Sequence, residues 1–235
     1  MLKSCQNPKF TLSLQKKIGI HLPQMCSRNE IKNMEQSTHN QIEKAIKKKN
    51  RGKIIFSNDF SSCGTHLAVR HALSRLCQNG LIIRLSTGIY LYPKIDKEFG
   101  LGILYPSLDT IAKSIAKKDK ARIAPTGLYA LNRLGLSTQV PANIIYLTDG
   151  SPRRIRIGKG KGILFKHTAP KNLAFKSDLA MLVVFALKEI TRERVTQEHL
   201  DRLKYVLQQA PKEEILQDIK LMPAWIKSLI MKLYE

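Results

Sequence analysis

The stretch KIIFSNDFSSCGTHLAVRHALSRLCQNGLIIRLSTGIYLYP, Lys53–Pro93, decides the fold of the N-terminal part of this chain. It reads as a short strand, a small helix, a turn, a longer helix and two strands joined by a tight turn. The longer helix is predicted over about 65–78, and Asn79-Gly80 is a typical C-terminal stop. This order predicts a winged helix-turn-helix, whose second helix enters the major groove of DNA while the wing touches the backbone. The apolar face of that helix is predicted to consist of Leu67, Val69, Ala72, Leu73 and Leu76.

The opposite face of the longer helix supplies the candidate DNA contacts. Arg70 can bind guanine in bidentate fashion, which discriminates between bases by about 1–3 kcal/mol; the alternative reading is a phosphate contact. His66 can bond a base or a phosphate, or cap the helix. Phosphate contacts position the protein without specifying a sequence. The predicted DNA-contacting residues are Lys53, Thr65, His66, Arg70, Ser74, Arg75, Arg84 and Thr87.

Positive charge is the second strong signal. The 235 residues carry 40 Lys and Arg against 18 Asp and Glu, a formal net charge of +22. Residues 1–100 hold 17 basic and 6 acidic groups and residues 101–176 hold 14 and 3, whereas residues 177–235 are neutral. Such an excess favours a polyanionic partner over the plainer reading of an ordinary basic protein. A membrane partner is disfavoured, because the basic residues form no long amphipathic helix and no run of 18 apolar residues exists.

The pattern along the chain predicts an α+β fold. A winged helix-turn-helix domain is predicted over 37–98, beginning with a helix at about 37–50. A mixed α/β domain follows over 99–235, with a sheet-containing part to about 176 and a helical end over 177–235. Residues 94–108 are read as the connection between the two domains. Residues 1–36 are predicted as a flexible arm, and Met34 is a candidate native start because the clear pattern begins only at about Ser37.

The second half of the positive charge lies in the predicted α/β domain. Arg153 to Ile157 alternates basic and apolar residues, which predicts a half-buried sheet edge with a positive outer face. Gly158 to Lys161 lacks the spacing of a phosphate-binding loop, so a hairpin turn is favoured there. Charge alone leaves open whether this surface extends a DNA contact or binds RNA. Its candidate residues are Arg122, Arg133, Arg153, Arg154, Arg156, Lys159 and Lys161.

No pattern of catalysis or metal binding is apparent. Metal-dependent cleavage of nucleic acid needs clustered carboxylates, and residues 101–176 offer only Asp109, Asp119 and Asp149. We therefore predict no enzyme activity, no catalytic residue, no metal and no cofactor. The cysteines form no C-x-x-C pair, which favours free thiols in a reducing cytoplasm. They are Cys5, Cys26, Cys63 and Cys77.

Three segments in this order carry a resemblance to a known family. They are the Lys53–Pro93 stretch, IAPTGLYALNRLGL at 123–136 and YLTDG at 146–150. Together they resemble the AbiEi-like antitoxin family of bacterial type IV toxin–antitoxin systems, over roughly residues 37–190. The resemblance implies an N-terminal winged helix that binds operator DNA and represses its own operon. It also implies a C-terminal domain that counteracts a nucleotidyltransferase-like toxin without a stable complex being required, so that the basic residues of 122–161 become a candidate antitoxin surface.

Two other functions remain open on the sequence. The first is a transcriptional regulator with a ligand-sensing C-terminal domain, and the second, less favoured, is a DNA-cleaving nuclease. A reading frame for a nucleotidyltransferase directly downstream would favour the antitoxin over the regulator. The polar residues that could line a ligand pocket are Thr126, Tyr129, Asn132, Thr148 and Asp149.

Overall fold

A computed structural model describes residues 28–158 and 160–235, with side chains from Ser37 onwards. This part of the chain is α+β, as the sequence predicts. The helices are α1 Arg28–Lys47, α2 His66–Gln78, α3 Leu108–Asp119, α4 Leu128–Leu134, α5 Asp178–Ile190, α6 Gln197–Gln208, α7 Lys212–Leu216 and α8 Ala224–Leu233. The strands are β1 Ile54–Phe56, β2 Ile83–Ser86, β3 Ile89–Leu91, β4 Lys94–Asp96, β5 Gly102–Leu104, β6 Ile123–Thr126, β7 Asn143–Thr148, β8 Arg153–Ile157 and β9 Lys161–His167.

Helix α1 begins earlier than the sequence pattern indicates. It starts at Arg28 rather than near Ser37, so residues 28–36 of the predicted flexible arm are helical. Residues 1–27 of that arm lie outside the described residues, whereas Met34 lies within α1, and a native start there stays a prediction. Ile42 and Ile46 on α1 are fully buried against α2, and Thr38 Oγ1 donates a hydrogen bond of 3.0 Å to the carbonyl of Cys63. This bond fixes α1 to the 3-10 helix over Ser57–Cys63 that precedes α2.

Helix α2 forms where the sequence predicts it. Thr65 is its N-cap, and Thr65 Oγ1 accepts a hydrogen bond of 3.3 Å from the backbone N–H of Ala68. The buried stripe consists of four of the five predicted residues, Val69, Ala72, Leu73 and Leu76. The prediction is wrong for Leu67, which is 55% exposed. Leu67 precedes Val69 by two residues, or about 200° around a helix, and therefore lies opposite the stripe.

The sheet β1-β3-β2 is antiparallel and buried on both faces. Because successive residues of a strand point to opposite faces, Ile55 and Tyr90 pack against α1 and α2. Phe56, Ile89 and Leu91 point the other way. They share one hydrophobic cluster with α3 and the second sheet, whose contributions are Ile111, Ala112, Ile115, Ile144, Tyr146, Ile155, Ile163 and Phe165. The N-terminal unit and the following part are thus joined by a common core.

The segment predicted as a plain connection forms a two-stranded hairpin. Strands β4 and β5 pair antiparallel, with Ile95 opposite Ile103 and Asp96 opposite Gly102. The loop between them is ordered by Asp96 Oδ1, which accepts hydrogen bonds from the backbone N–H groups of Glu98 and Phe99. The predicted domain boundary between residues 98 and 99 therefore falls inside this hairpin.

The second sheet has the order β6-β7-β9-β8. Strands β7 and β9 are parallel, whereas β6 and β8 pair antiparallel with their neighbours. Helix α3 and the β1-β3-β2 sheet cover one face, and α5 packs on the other face beside β6. Strand β8 lies at the edge, as its alternating pattern predicts, with Ile155 buried and Arg154 and Arg156 exposed. Strands β8 and β9 pair antiparallel with Ile157 opposite Lys161, so the predicted hairpin is confirmed.

The C-terminal helices form the third part of the core. Helices α4, α6, α7 and α8 pack around α5, in which eight residues are buried. Thr196, Pro211 and Pro223 are the N-caps of α6, α7 and α8. The buried Asp218 accepts hydrogen bonds from the backbone N–H groups of Lys176 and Ser177, which ties the helical end to the start of α5. No helix of the described residues is long and apolar enough to cross a membrane.

Candidate nucleic-acid interface

A groove runs between α2, the start of the 3-10 helix and the turn that joins β2 to β3. We call it the α2 groove; its volume is about 750 Å³. Its lining holds two arginines and two histidines and includes no acidic residue. The groove is lined by Ser57, Asn58, Ser61, Gly64, His66, Val69, Arg70, His71, Ser74, Cys77, Gln78, Arg84, Thr87, Gly88 and Tyr90.

One wall of the α2 groove is a row of polar side chains along α2. His66, Arg70, Ser74 and Gln78 follow one another at intervals of four residues, and all are exposed. Residues four apart lie one above the other on a helix surface. The row therefore presents a continuous polar edge along the helix, and the exposed Leu67 lies on the same side.

The opposite wall is the β2–β3 turn, which is held in a defined position. Gly88 adopts φ +71°, a left-handed conformation that suits glycine. Its carbonyl accepts a hydrogen bond of 3.0 Å from the backbone N–H of Ser57. The β2–β3 pairing shifts register between Arg84 and Ser86, a bulge of the kind that twists a hairpin. Arg84 on β2 and Thr87 in the turn are both exposed, so this wall brings one cation and one hydroxyl into the groove.

A second cleft lies on the other side of the same turn. We call it the β8 cleft; its volume is about 660 Å³. It shares Ser57, Asn58, Thr87 and Gly88 with the α2 groove. The β2–β3 turn is therefore a ridge between two consecutive clefts. The β8 cleft is lined by Phe56, Ser57, Asn58, Ser86, Thr87, Gly88, Ile89, Ile115, Lys118, Arg153, Arg154, Ile155 and Arg156.

The cations of the β8 cleft differ in how far they are engaged. Arg153 donates to Asp119 and its guanidinium carbon lies 5.8 Å from the ring centroid of Phe165. Lys118 Nζ lies 4.6 Å from the ring centroid of Phe56. Arg154 and Arg156 are exposed and form no ion pair with any described residue. These two arginines are the cations of this cleft most available to an external anion.

The structure brings together five of the eight predicted DNA-contacting residues. His66, Arg70, Ser74, Arg84 and Thr87 all line the α2 groove. The other three do not line it. Thr65 caps α2, Lys53 precedes β1, and Arg75 lies on the half-buried flank of α2 beside the core stripe.

The second predicted basic set is divided among several places. Arg122 is engaged within the fold: its Nε lies 2.9 Å from Asp149 Oδ2, and it also donates to two backbone carbonyls. Arg133 Nη1 lies 3.6 Å from Asp109 Oδ1. Lys161 is exposed at the start of β9, and Lys159 lies outside the described residues. Of this set, only the arginines of β8 line the β8 cleft beside the β2–β3 turn.

Several residues of the two clefts were not predicted. Gln78 extends the row of α2 by one further step of four residues, so its spacing was a usable signal. His71 is exposed next to Arg70 and could have been included on the same ground. Ser57 and Asn58 carry no sequence signal, because only tertiary packing brings the 3-10 helix beside the turn.

A polar cluster lies apart from both clefts, at the junction of α3, α4 and β7. Asp109 accepts from the hydroxyl of the buried Tyr146, and Lys113 Nζ lies 2.9 Å from its other oxygen. Burial alone would raise the pKa of Asp109, but these two bonds and the charges of Lys113 and Arg133 hold it below its usual range. Burial and the bond to Asp109 raise the pKa of Tyr146. The cluster is a structural link across the second part of the core.

A small cleft of about 290 Å³ opens beside this cluster, between Lys113, Arg133, Tyr146 and the start of α5. The residues that the sequence suggested for a ligand pocket do not assemble in it. Asn132 Nδ2 donates to the carbonyl of Ser137, and Asp149 bonds Arg122. Burial opposes ionisation of Asp149, yet the bonds from Arg122 keep its pKa below the usual range.

The sulfur and carboxylate groups of the described residues are dispersed. Cys63 and Cys77 are free and half-buried, and burial raises the pKa of the Cys77 thiol. Within 28–158 and 160–235, no group of three or more His, Cys, Asp or Glu side chains could hold a metal ion.

The described chain is thus an α+β protein in which two basic clefts share one β-turn. Residues 41–215 match a family of unknown function (DUF6088), and the chain belongs to that family. Among curated proteins, none matches this sequence.

Proposed function

We propose that this protein is a sequence-specific regulator that binds double-stranded DNA through an N-terminal winged helix-turn-helix. The observation that carries the proposal is the α2 groove, in which a polar row on an exposed helix faces a basic wing turn. The order of α1, the 3-10 helix, α2 and the β2–β3 hairpin is the order that such a module has. The absence of acidic residues from the lining suits a polyanion.

Helix α2 has the chemistry required to read bases. The major groove of B-DNA, about 12 Å wide, admits an α-helix. Arg70 supplies a donor pair suited to guanine, while His66, Ser74 and Gln78 supply further donors and acceptors. Leu67, exposed on the same side, is suited to contact a thymine methyl group. Arg84 and Thr87 on the wing are suited to phosphates, which position the protein without reading sequence.

The β8 cleft supports a longer electrostatic footprint than a winged helix alone provides. Arg154 and Arg156 lie across the wing turn from α2, so a duplex held in the α2 groove would continue toward them. This arrangement accounts for part of the positive charge of 101–176, which the winged module leaves unexplained. RNA remains the other polyanion that this half of the charge would suit.

The biological role that we propose is that of a cytoplasmic antitoxin and autorepressor acting against a nucleotidyltransferase-like toxin. The support is the resemblance of three sequence segments to the AbiEi-like family. The second and third segments are neighbours in the fold, because Ile123–Thr126 pairs with residues 145–148 on adjacent strands. Pro125 and Thr126 end β6, and Gly127 starts α4 with φ +65°. The motifs therefore belong to one structural unit rather than to separate loops.

The DNA-binding proposal is tested by selecting duplexes from a random pool and measuring affinity for the enriched site. We expect Arg70→Ala to weaken binding to that site by about 5- to 150-fold, corresponding to about 1–3 kcal/mol for a bidentate base contact, with a much smaller loss on random DNA. Arg192→Ala, an exposed arginine in the neutral C-terminal part, is the matched control and should change neither affinity. Failure to enrich any site would refute sequence-specific binding. Equal losses on both DNAs would reduce Arg70 to a phosphate contact.

The antitoxin role is tested separately by co-expression. A nucleotidyltransferase-type toxin encoded beside this gene should arrest growth, and the present chain should restore it. Restored growth with the Arg70→Ala variant would show that antitoxin action does not require operator reading. No rescue by the wild-type chain would refute the antitoxin role while leaving the DNA-binding proposal intact.

A further inference from the structure

Half of the large exposed apolar side chains of the described residues are concentrated in the β4–β5 hairpin and the residue after it. Phe99 at the tip is 81% exposed and Tyr105 is 63% exposed. Clustered exposed apolar side chains of this kind mark interaction surfaces on soluble proteins. The six residues are Ile95, Phe99, Leu101, Ile103, Leu104 and Tyr105.

The hairpin also has unpaired strand edges. Its sheet contains only β4 and β5, and no third strand of the described chain pairs with either. A two-stranded hairpin is marginally stable by itself in water, and an open edge is a template for another strand. Ile95 and Ile103 are directly opposite each other and so lie on one face. The hairpin thus combines an apolar face with a free backbone edge.

We propose that the β4–β5 hairpin joins two copies of this chain. In a two-fold dimer the same surface meets itself, and two β5 strands can pair antiparallel across the axis to give a four-stranded sheet. Pro93 precedes β4 and has no backbone N–H to donate, which makes β5 the better edge for pairing.

Local charge favours a second copy over a nucleic acid. The chain carries +22 overall, but residues 94–105 contain two lysines and two acidic residues and are neutral. A polyanion has no attraction to this surface, and a second copy meets no repulsion there. The flanking residues 1–93 and 106–176 each carry a formal charge of +11, so like charges there would oppose association. The hairpin is therefore a place where two such basic chains can meet at low electrostatic cost.

The exposed area is of the size that a dimer needs. Phe99 and Tyr105 alone expose roughly 300 Å², since an aromatic side chain presents about 200 Å² when bare. A standard interface buries about 800 Å² on each partner, so two of the six side chains supply more than a third of it. The dimer does not depend on DNA binding, although it would present two α2 grooves to an inverted repeat.

The test is sedimentation velocity of the full chain over a range of concentrations. We expect a monomer–dimer equilibrium that persists or tightens in about 1 M salt, where the screening length falls to about 3 Å and charge repulsion between copies is removed. Phe99→Asp should weaken dimerisation at least tenfold. Val140→Asp is the matched control, because Val140 is 82% exposed outside the hairpin, and it should leave the equilibrium unchanged. Circular dichroism checks that both variants fold, and Leu101→Asp provides a second disruption of the same surface.

Three results would overturn the proposal. The first is a chain that stays monomeric at every concentration in high salt. The second is equal dimerisation by the Phe99→Asp and Val140→Asp variants, which would place the contact elsewhere. The third is a monomeric full chain that associates only after removal of residues 1–27, which would assign the hairpin to that segment instead.

Discussion

Asp109 links three polar side chains at the junction of α3, α4 and β7. It accepts from Tyr146 on β7, pairs with Lys113 on its own helix and faces Arg133 on α4. Removing the carboxylate would leave the buried Tyr146 hydroxyl with a weaker partner. Removing the charged acceptor of a buried donor costs more folding free energy than removing an exposed ion pair.

We expect Asp109→Asn to lower the free energy of unfolding by about 1.5–3 kcal/mol near neutral pH, the range for hydrogen bonds to charged groups. The folded-state pKa of Asp109 is depressed, so its contribution is present above the unfolded pKa of about 3.9 and is lost as pH falls through the folded pKa. The difference between wild type and variant should therefore narrow below about pH 4. Urea unfolding at about pH 7 and about pH 3 measures both effects.

Asp119→Asn is the control for this prediction. Its partner Arg153 is well exposed, and exposed pairs contribute only about 0.2–1 kcal/mol. An Asp109→Asn loss no larger than that of the control would show that the cluster is not a structural link. A gap that stays constant into acid would contradict the depressed pKa.

At the scale of single residues, the polar row of α2 could be predicted from the sequence, whereas the contacts of other charged residues could not. Arg70, His66 and Ser74 were found because helical spacing alone places them opposite the buried stripe. The prediction assigned Leu67 to the buried stripe because it is hydrophobic, although its angular position on the helix lies opposite that stripe. Arg122 and Arg133 appeared as free surface charge, since their carboxylate partners are distant in sequence and only folding brings them within reach.

Strand β8 is the element on which the proposed longer DNA footprint depends. Its edge position exposes Arg154 and Arg156, and its neighbour across the cleft is the β2–β3 turn. Phosphate contacts of this kind release counterions, and each one contributes about 0.9 to the slope of log affinity against log salt. The contribution should be the same for every duplex sequence.

We expect the double variant Arg154→Ala with Arg156→Ala to reduce that slope by about two units, with equal losses on specific and random DNA. Binding isotherms over a series of salt concentrations measure it. Arg192→Ala with Arg194→Ala, two exposed arginines of the C-terminal part, removes the same charge and should leave the slope almost unchanged. An unaltered slope in the β8 variant would confine the DNA contact to the winged module.

Other elements were predictable to different degrees. The helical end over 177–235 and the edge strand β8 form where the sequence predicts them, because both depend on local patterning. The β4–β5 hairpin was read as a connection because its strands are three residues long and lie among glycines and charges. Short strands of this kind are stabilised by pairing with each other, and the hydrophobic periodicity of the sequence gives no information about that pairing.

For the whole molecule, the shared hydrophobic cluster makes the two predicted domains interdependent. Phe56 and Leu91 from the N-terminal sheet pack into the same cluster as Ile115 and Phe165. Separating the parts would expose this surface to water. The chain should consequently unfold as one cooperative unit rather than in two stages.

We expect Ile115→Ala to destabilise the whole chain by about 2–5 kcal/mol, the usual cost of a large cavity in a core. Far-ultraviolet circular dichroism reports all helices, whereas fluorescence of the single tryptophan, Trp225, reports the C-terminal cluster. The two signals should shift together in urea. Val140→Ala at an exposed position should change stability by less than about 0.5 kcal/mol. Two separate transitions in the Ile115→Ala variant would show that the halves unfold independently.

The sequence by itself determined helix α2 and its caps, the helical end of the chain, the α+β class, the polar row of α2 and the large positive charge. These features depend on the local spacing of residues and on composition, and both can be read directly from the sequence. The tertiary structure alone decided that the first sheet is buried on both faces and that one β-turn separates two basic clefts. It also decided which arginines are engaged within the fold and which are available. These outcomes depend on contacts between residues far apart in sequence, and on burial that removes some charges from solvent while leaving others exposed.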